Sequence, residues 1–251
     1  MKAIGSISLM VAAVALLAIS VPVQASTMDD RIALSAKKSY LFNTYLTGDD
    51  IKIESKDGVV TLTGIVADNF NKSMAKETVA GLPGVKSVDN RLEVKSVPPA
   101  ENSDAWLRDK VKVTLLFHRS VSAGATEVDV KDGIVTLRGD AASQAQKELT
   151  TEYARDVEGV KEVNNEMTVT KTSIKTRTIG EKIDDASITA QVKMTLLSHR
   201  STSAINTKVE TKRGEVTLYG KASNAAEKNL ATKLANDVNG VKGVKNRMTI
   251  E

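Results

Sequence analysis

Cysteine is absent from this 251-residue chain. That excludes a disulfide scaffold, a thiolate metal site, a cysteine nucleophile and a lipid-modified N-terminal cysteine. Aromatic residues make up 3%, so any core must be built on Val, Leu, Ile and Ala. The only histidines are His118 and His199. Without cysteine, two such distant residues offer no metal-ligand spacing. The glycine-rich phosphate-loop pattern is missing. No charge of one sign dominates, with 35 basic against 31 acidic residues. At 41% hydrophobic and 26% charged, the composition is that of a folded chain. After residue 23 no apolar run approaches the ~20 residues that span a bilayer.

The one long apolar run stands at the start. Lys2 precedes an uncharged stretch from Ile4 to Val23, followed by Val23-Gln24-Ala25. Small residues at that spacing predict a signal peptide over residues 1–25, cleaved after Ala25. An exported, periplasmic chain is therefore expected.

The rest of the sequence repeats itself. A hairpin core recurs at Lys56–Gly64 (KDGVVTLTG), Lys131–Gly139 (KDGIVTLRG) and Lys212–Gly220 (KRGEVTLYG). A second element recurs at Gly84–Asn90, Gly159–Asn165 and Gly240–Asn246. Both share the same two offsets, which marks three tandem copies of one unit. The expected modules cover 28–97, 103–171 and 182–251, with a linker over 172–181. Lys95–Ala100 reads as a shorter, proline-stiffened linker.

Each unit reads as α-β-β-α-β. Asp29, Asp104 and Asp185 precede the first helix as N-cap types. Leu107, Val111 and Leu115 then line one helix face, matched by Ile32, Ala36 and Tyr40 and by Ile188, Val192 and Leu196. Asp57-Gly58, Asp132-Gly133 and Arg213-Gly214 are two-residue hairpin turns, and Gly64, Gly139 and Gly220 close the return strands. Asp68, Ser143 and Asn224 cap the second helix. Leu149, Tyr153 and Val157 are its expected buried stripe in the second copy, as are Leu230, Leu234 and Val238 in the third. Gly84, Gly159 and Gly240 fall where helix C-terminal glycines belong. The expected fold is α+β: three small mixed three-stranded sheets, each under two helices. Units of ~70 residues are marginal alone, so packing between them is expected.

The G-x-V-T-L-x-G hairpin, the G-V-x-x-V-x-N element and the α-β-β-α-β order resemble the BON domain family, and within it the osmotically inducible periplasmic proteins. The resemblance covers residues 28 to 251. It implies a periplasmic protein without catalysis or cofactor, acting in phospholipid contact, envelope integrity under osmotic stress, or chaperoning of exported proteins.

The residues themselves offer few parts for catalysis. His118 and His199 occupy one repeat position, where the first copy has Asn43. They are expected to be structural, at the end of the first helix. Asn90, Asn165 and Asn246 are expected to hold the strand end by local bonds.

One helix face stands out. At ~100° per residue, Trp106, Val113 and Phe117 share the side of the second copy's first helix opposite its buried stripe. Lys110 edges them, and Arg108, Lys112 and Arg119 flank the other edge. The aligned residues Arg31, Lys38 and Phe42, or Ser187, Met194 and Ser198, repeat no such stripe. Three readings stay open: packing against a neighbouring module, contact with anionic phospholipid, or a protein partner. The third module carries 12 basic and 7 acidic residues, with Lys193, Arg200, Lys212, Arg213 and Lys221 as its expected basic surface. Nucleic acid is not an expected partner. The expected function is non-enzymatic binding at a membrane surface, with a chaperone for unfolded exported or outer-membrane proteins as the alternative.

Overall fold

A computed structural model describes residues 23–95, 99–100, 102–121, 123–170, 182–202 and 207–251, with side chains from Met28 onward. Residues 1–22 of the expected signal peptide and the whole 172–181 linker lie outside the described residues, as do positions 96–98 of the shorter linker.

Module 1 comprises α1 (Val23–Lys38), α2 (Tyr40–Thr44), β1 (Asp50–Lys56), β2 (Val59–Val66), α3 (Asn69–Ala80) and β3 (Ser87–Val94). Module 2 comprises α4 (Asp104–Phe117), β4 (Thr126–Lys131), β5 (Ile134–Ala141), α5 (Gln144–Arg155), β6 (Glu162–Asn165) and β7 (Thr168–Val169). Module 3 repeats this with α6 (Asp185–Ser198), β8 (Thr207–Lys212), β9 (Glu215–Ala222), α7 (Ala225–Asn236), β10 (Gly243–Asn246) and β11 (Thr249–Ile250). The second strand is central in every sheet. It pairs antiparallel with the first strand and parallel with the last. In modules 2 and 3 the last strand is broken in two.

The hairpins form as the sequence indicates. Asp57 and Gly58 take φ of 55° and 81°, Asp132 and Gly133 54° and 81°, and Arg213 and Gly214 55° and 83°. Both central residues are left-handed, the turn that suits the twist of two paired strands. Asp68, Ser143 and Asn224 cap α3, α5 and α7, each accepting from the N–H three residues on.

Three local expectations are corrected. Asp104 and Asp185 are not N-caps; Ser103 and Asp184 are, accepting from Trp106 N–H and Ser187 N–H. Asp29 is no cap either, since it lies in the second turn of α1, which begins at Val23. The recurring aspartate instead reaches from within the helix to the hairpin. Asp104 accepts from Asp132 and Gly133 N–H at 2.7 and 2.9 Å, Asp185 from Arg213 and Gly214, and Asp29 from Asp57 and Gly58. Tight turns leave these N–H groups facing outward, and a carboxylate can accept from both. The Asp132 and Gly133 N–H bonds hold the Asp104 carboxyl below its ordinary range.

Gly84, Gly159 and Gly240 are not C-caps either. The caps are Gly81, Asp156 and Asp237, and the glycines lie three residues beyond. At φ 94°, Gly159 also stands so near α4 that a Cβ would lie 2.7 Å from Leu107 Cδ2.

Of the expected α5 stripe, Val157 is fully buried just past the helix end, but within the helix the buried residues are Thr150 and Ala154, while Leu149 is 39% exposed and Tyr153 half-buried. Small residues let the helix approach its sheet closely.

Each module keeps its own core. Val60, Leu62 and Leu92 anchor the first, Leu107, Val135 and Leu137 the second, and Ile188, Val216 and Leu218 the third. The first core also recruits Phe117 from module 2 and Ala186, Ala190 and Met194 from module 3. The helix α6 is therefore buried on both sides, against its own sheet and against module 1. Its small polar residues Ser187, Thr195 and Ser198 are nearly inaccessible, which permits close helix approach. Asp184 also accepts from Tyr40 N–H at 2.7 Å, and Ser187 Oγ from Leu41 N–H at 3.2 Å. These side chains satisfy the first free donors of α2.

Candidate functional site

The two histidines meet across one seam. His118 and His199 end α4 and α6. Each pairs its backbone with the other module: His118 with Val238, and His199 with Val157. Arg119 N–H donates to Asp237 O at 3.0 Å, and Arg200 N–H to Asp156 O at 3.1 Å. Modules 2 and 3 are thus joined by a pseudo-two-fold exchange.

The side chains follow the same plan. His118 Nδ1 lies 3.0 Å from Asp237 Oδ2. A carboxylate only accepts, so this nitrogen carries the proton. Ser120 and Tyr153 donate to the same carboxylate, and Tyr153 stacks on His118 with centroids 3.7 Å apart. Burial pushes the Asp237 carboxyl up, but the three donors outweigh it and hold it below its ordinary value. Burial, then the bond to Asp237, raises the Tyr153 phenol. His199 Nε2 lies 3.3 Å from Asp156 Oδ2, and its Nδ1 accepts from Ser201 N–H. Burial lowers the His199 imidazole below its ordinary value. The histidines are structural, but they serve the seam between modules instead of their own helix ends. A signal for this was present in the sequence. Copies with histidine at this position carry Asp156 or Asp237 just after the second helix, while the copy with Asn43 has Gly81 there.

The asparagines do more than hold a strand end. Asn165 accepts from Met167 N–H and donates to Lys147 O and Thr151 Oγ1 in α5. Asn246 repeats this on α7, and Asn90 bonds Lys72 O of α3. Each ties the last strand to the second helix.

The aromatic stripe on α4 is divided. Phe117 has 0% of its surface exposed. It packs edge-on to Tyr45 at 6.3 Å and tilted against Phe70 at 5.9 Å, both from module 1. Val113 packs into that same core. These two residues therefore face a neighbouring module, and Phe117 is closed to any external ligand. Trp106 sits at the other end, half-buried against its own core. Lys110 Nζ lies 4.4 Å from its ring centroid and 3.4 Å from Glu158. Arg108 is partly exposed and bonds Asp109. Lys112 is exposed. Arg119, also exposed, lies 3.7 Å from Asp237.

The basic surface expected on module 3 is reduced in the same way. Lys193 bonds Glu77 of module 1 at 2.8 Å, and Arg200 donates to Val157 O across the seam. Lys212, Arg213 and Lys221 remain exposed.

Against known families, the BON domain model matches residues 28–96, 103–171 and 184–251. The chain belongs to the BON domain family. Its three BON modules are similar to osmotically-inducible protein Y of Escherichia coli (strain K12), 33% identical over 143 residues, covering 55% of this chain and 71% of that protein. They are also similar to outer membrane lipoprotein DolP of Haemophilus influenzae, 30% identical over 188 residues, covering 74% of this chain and 88% of that one. A 21 kDa hemolysin of Actinobacillus pleuropneumoniae is 29% identical over 157 residues, covering 62% of this chain and 72% of that protein. The alignments place this BON protein among envelope and osmotic-stress relatives. Among the described residues, no helix is long and apolar enough to cross a membrane.

Proposed function

We propose that this BON protein is a periplasmic, non-enzymatic adaptor that rests on anionic phospholipid through the Trp106 end of α4. The observation that carries this reading is Trp106, partly exposed with Lys110 over its ring and with Arg108 on the same helix. An indole at headgroup depth with cations beside it is the arrangement of an interfacial helix. Lys212, Arg213 and Lys221 add attraction without insertion.

The chaperone alternative needs sheet edges that accept an extended segment. The first-strand edges carry Lys52, Glu54 and Lys56, or Glu127, Asp129 and Lys131, on their outward face. Such charges blunt strand addition, so the lipid reading is favoured.

Vesicle flotation tests it. The chain should float with phosphatidylglycerol vesicles at low salt, less at high salt, and not with neutral vesicles. Trp106→Ala and Arg108→Glu should each lower the floated fraction. Equal binding to neutral and anionic vesicles, or no loss with either variant, would overturn the reading.

A further inference from the structure

Most of the contact between modules is closely filled. A Cβ on Gly81 would lie 3.3 Å from Ala186 Cα, and Phe117 is wholly enclosed. The exception lies between modules 1 and 2, where α4 leaves a cleft of about 300 Å³ against α2 and α3. Tyr45, Phe70 and Met74 form one wall, and Val113 and Leu116 part of the other. Unfilled apolar walls forgo dispersion contacts that a ligand can restore.

The polar groups on the lining narrow the choice of ligand. The Asn71 side-chain amide donates to Asp49 and its backbone N–H to Asp68, which ties this residue into module 1. Lys112 is the one charged residue on the lining, and among the described residues no ion pair or hydrogen bond holds it. Most of the lining is apolar, with Phe70, Met74, Val113, Leu115, Leu116 and Val128 among it, which suits a hydrocarbon better than a nucleotide or sugar. A body without polar groups, ending in one negative charge, meets both features. The volume stands at the lower limit of the ~300–1,000 Å³ usual for ligand pockets, which suits one chain and not two.

We propose that the cleft between α4 and α2–α3 binds the single acyl chain of an anionic amphiphile, with Lys112 on its charged end. This deepens the lipid reading and rests on it for the membrane as the source of the chain. It differs in site, because Trp106 and the cleft lie on different parts of α4.

The test titrates the mature chain with dodecanoate calorimetrically, beside flotation on phosphatidylglycerol vesicles. Dodecanoate should bind at one site, and dodecyltrimethylammonium should not compete for it. Lys112→Glu should weaken dodecanoate about tenfold or more, as loss of a charge-assisted contact does. Ala123→Leu, which fills the cleft from its rim, should abolish binding while far-ultraviolet circular dichroism and melting temperature stay as in the wild type. Trp106→Ala should lose vesicles and keep dodecanoate. If vesicles bind and dodecanoate does not, the cleft proposal falls and the surface reading stands. If dodecanoate binds and vesicles do not, the surface reading falls and the cleft takes a free amphiphile. Dodecanoate binding unchanged by both Lys112→Glu and Ala123→Leu would also overturn the cleft.

Discussion

Phe117→Ala separates a contact inside the molecule from a contact with something outside it. The ring is fully enclosed, with Tyr45 and Phe70 of module 1 as its aromatic neighbours. Truncating a buried phenylalanine costs about 3–5 kcal/mol, from lost transfer energy and the cavity left behind. Domains are stable by only about 5–15 kcal/mol, so the loss is a large fraction. At about 2–4 °C per kcal/mol for a chain of this size, the melting temperature should fall by about 6–20 °C. Circular dichroism melts measure this directly. A ring that merely touched lipid would behave otherwise, since exposed substitutions stay within about 0.5 kcal/mol. Phe70→Ala in the same background locates the effect. Residues in contact couple by about 0.5–3 kcal/mol, so the double variant should depart from the sum of the singles. A melting temperature unchanged within about 2 °C, together with lost vesicle flotation, would refute the packing of α4 against module 1.

Gly159→Ala combines a left-handed backbone with a Cβ 2.7 Å from Leu107; it should destabilise by at least the ~1–2 kcal/mol of the conformation alone, read as a lower urea midpoint. His199 is held neutral by burial, with its folded pKa below the unfolded value near 6.5. The unfolded chain therefore takes up the proton first, so stability should fall as pH drops below about 6.5. Urea titrations at pH 7.5 and 5.5 should show this, and His199→Gln should reduce the difference. The Asp104 carboxyl is likewise shifted down, in a more acidic window: its hairpin bonds add stability above the ordinary carboxylate pKa, and this is lost as pH falls through the lowered folded value. Asp104→Asn should flatten the acid limb of the stability profile. Tyr153→Phe removes one donor from Asp237 and should cost about 1–2 kcal/mol, measured as a lower melting temperature with the far-ultraviolet spectrum unchanged.

Much of the fold was legible because its signals are local. Left-handed turns demand Asp-Gly, caps demand Asp, Ser or Asn, and a pleated strand alternates. The copies also check one another, since two motifs share the same offsets. The recurring aspartate was legible as a functional position but assigned to the wrong partner. Helix start and hairpin turn are 28 residues apart in Asp104 and Asp132, and only folding shows that they touch. Within α5 the buried positions moved one residue from Leu149 and Tyr153, though not at Val157, because Thr150 and Ala154 suit close approach better than Leu149 does.

The amino-acid sequence by itself determined the number of modules, their element order and their turns, because each depends on backbone preferences within a few residues. The tertiary structure alone decided which side of each helix meets another module. An apolar stripe has the same pattern whether it faces lipid or a neighbouring domain. Phe117 went inward and Trp106 stayed at the rim because α2 and α3 dock over one end of α4 and leave the other end open. The histidine–aspartate exchange arose likewise, from two similar modules meeting about a pseudo-two-fold axis that no single repeat contains.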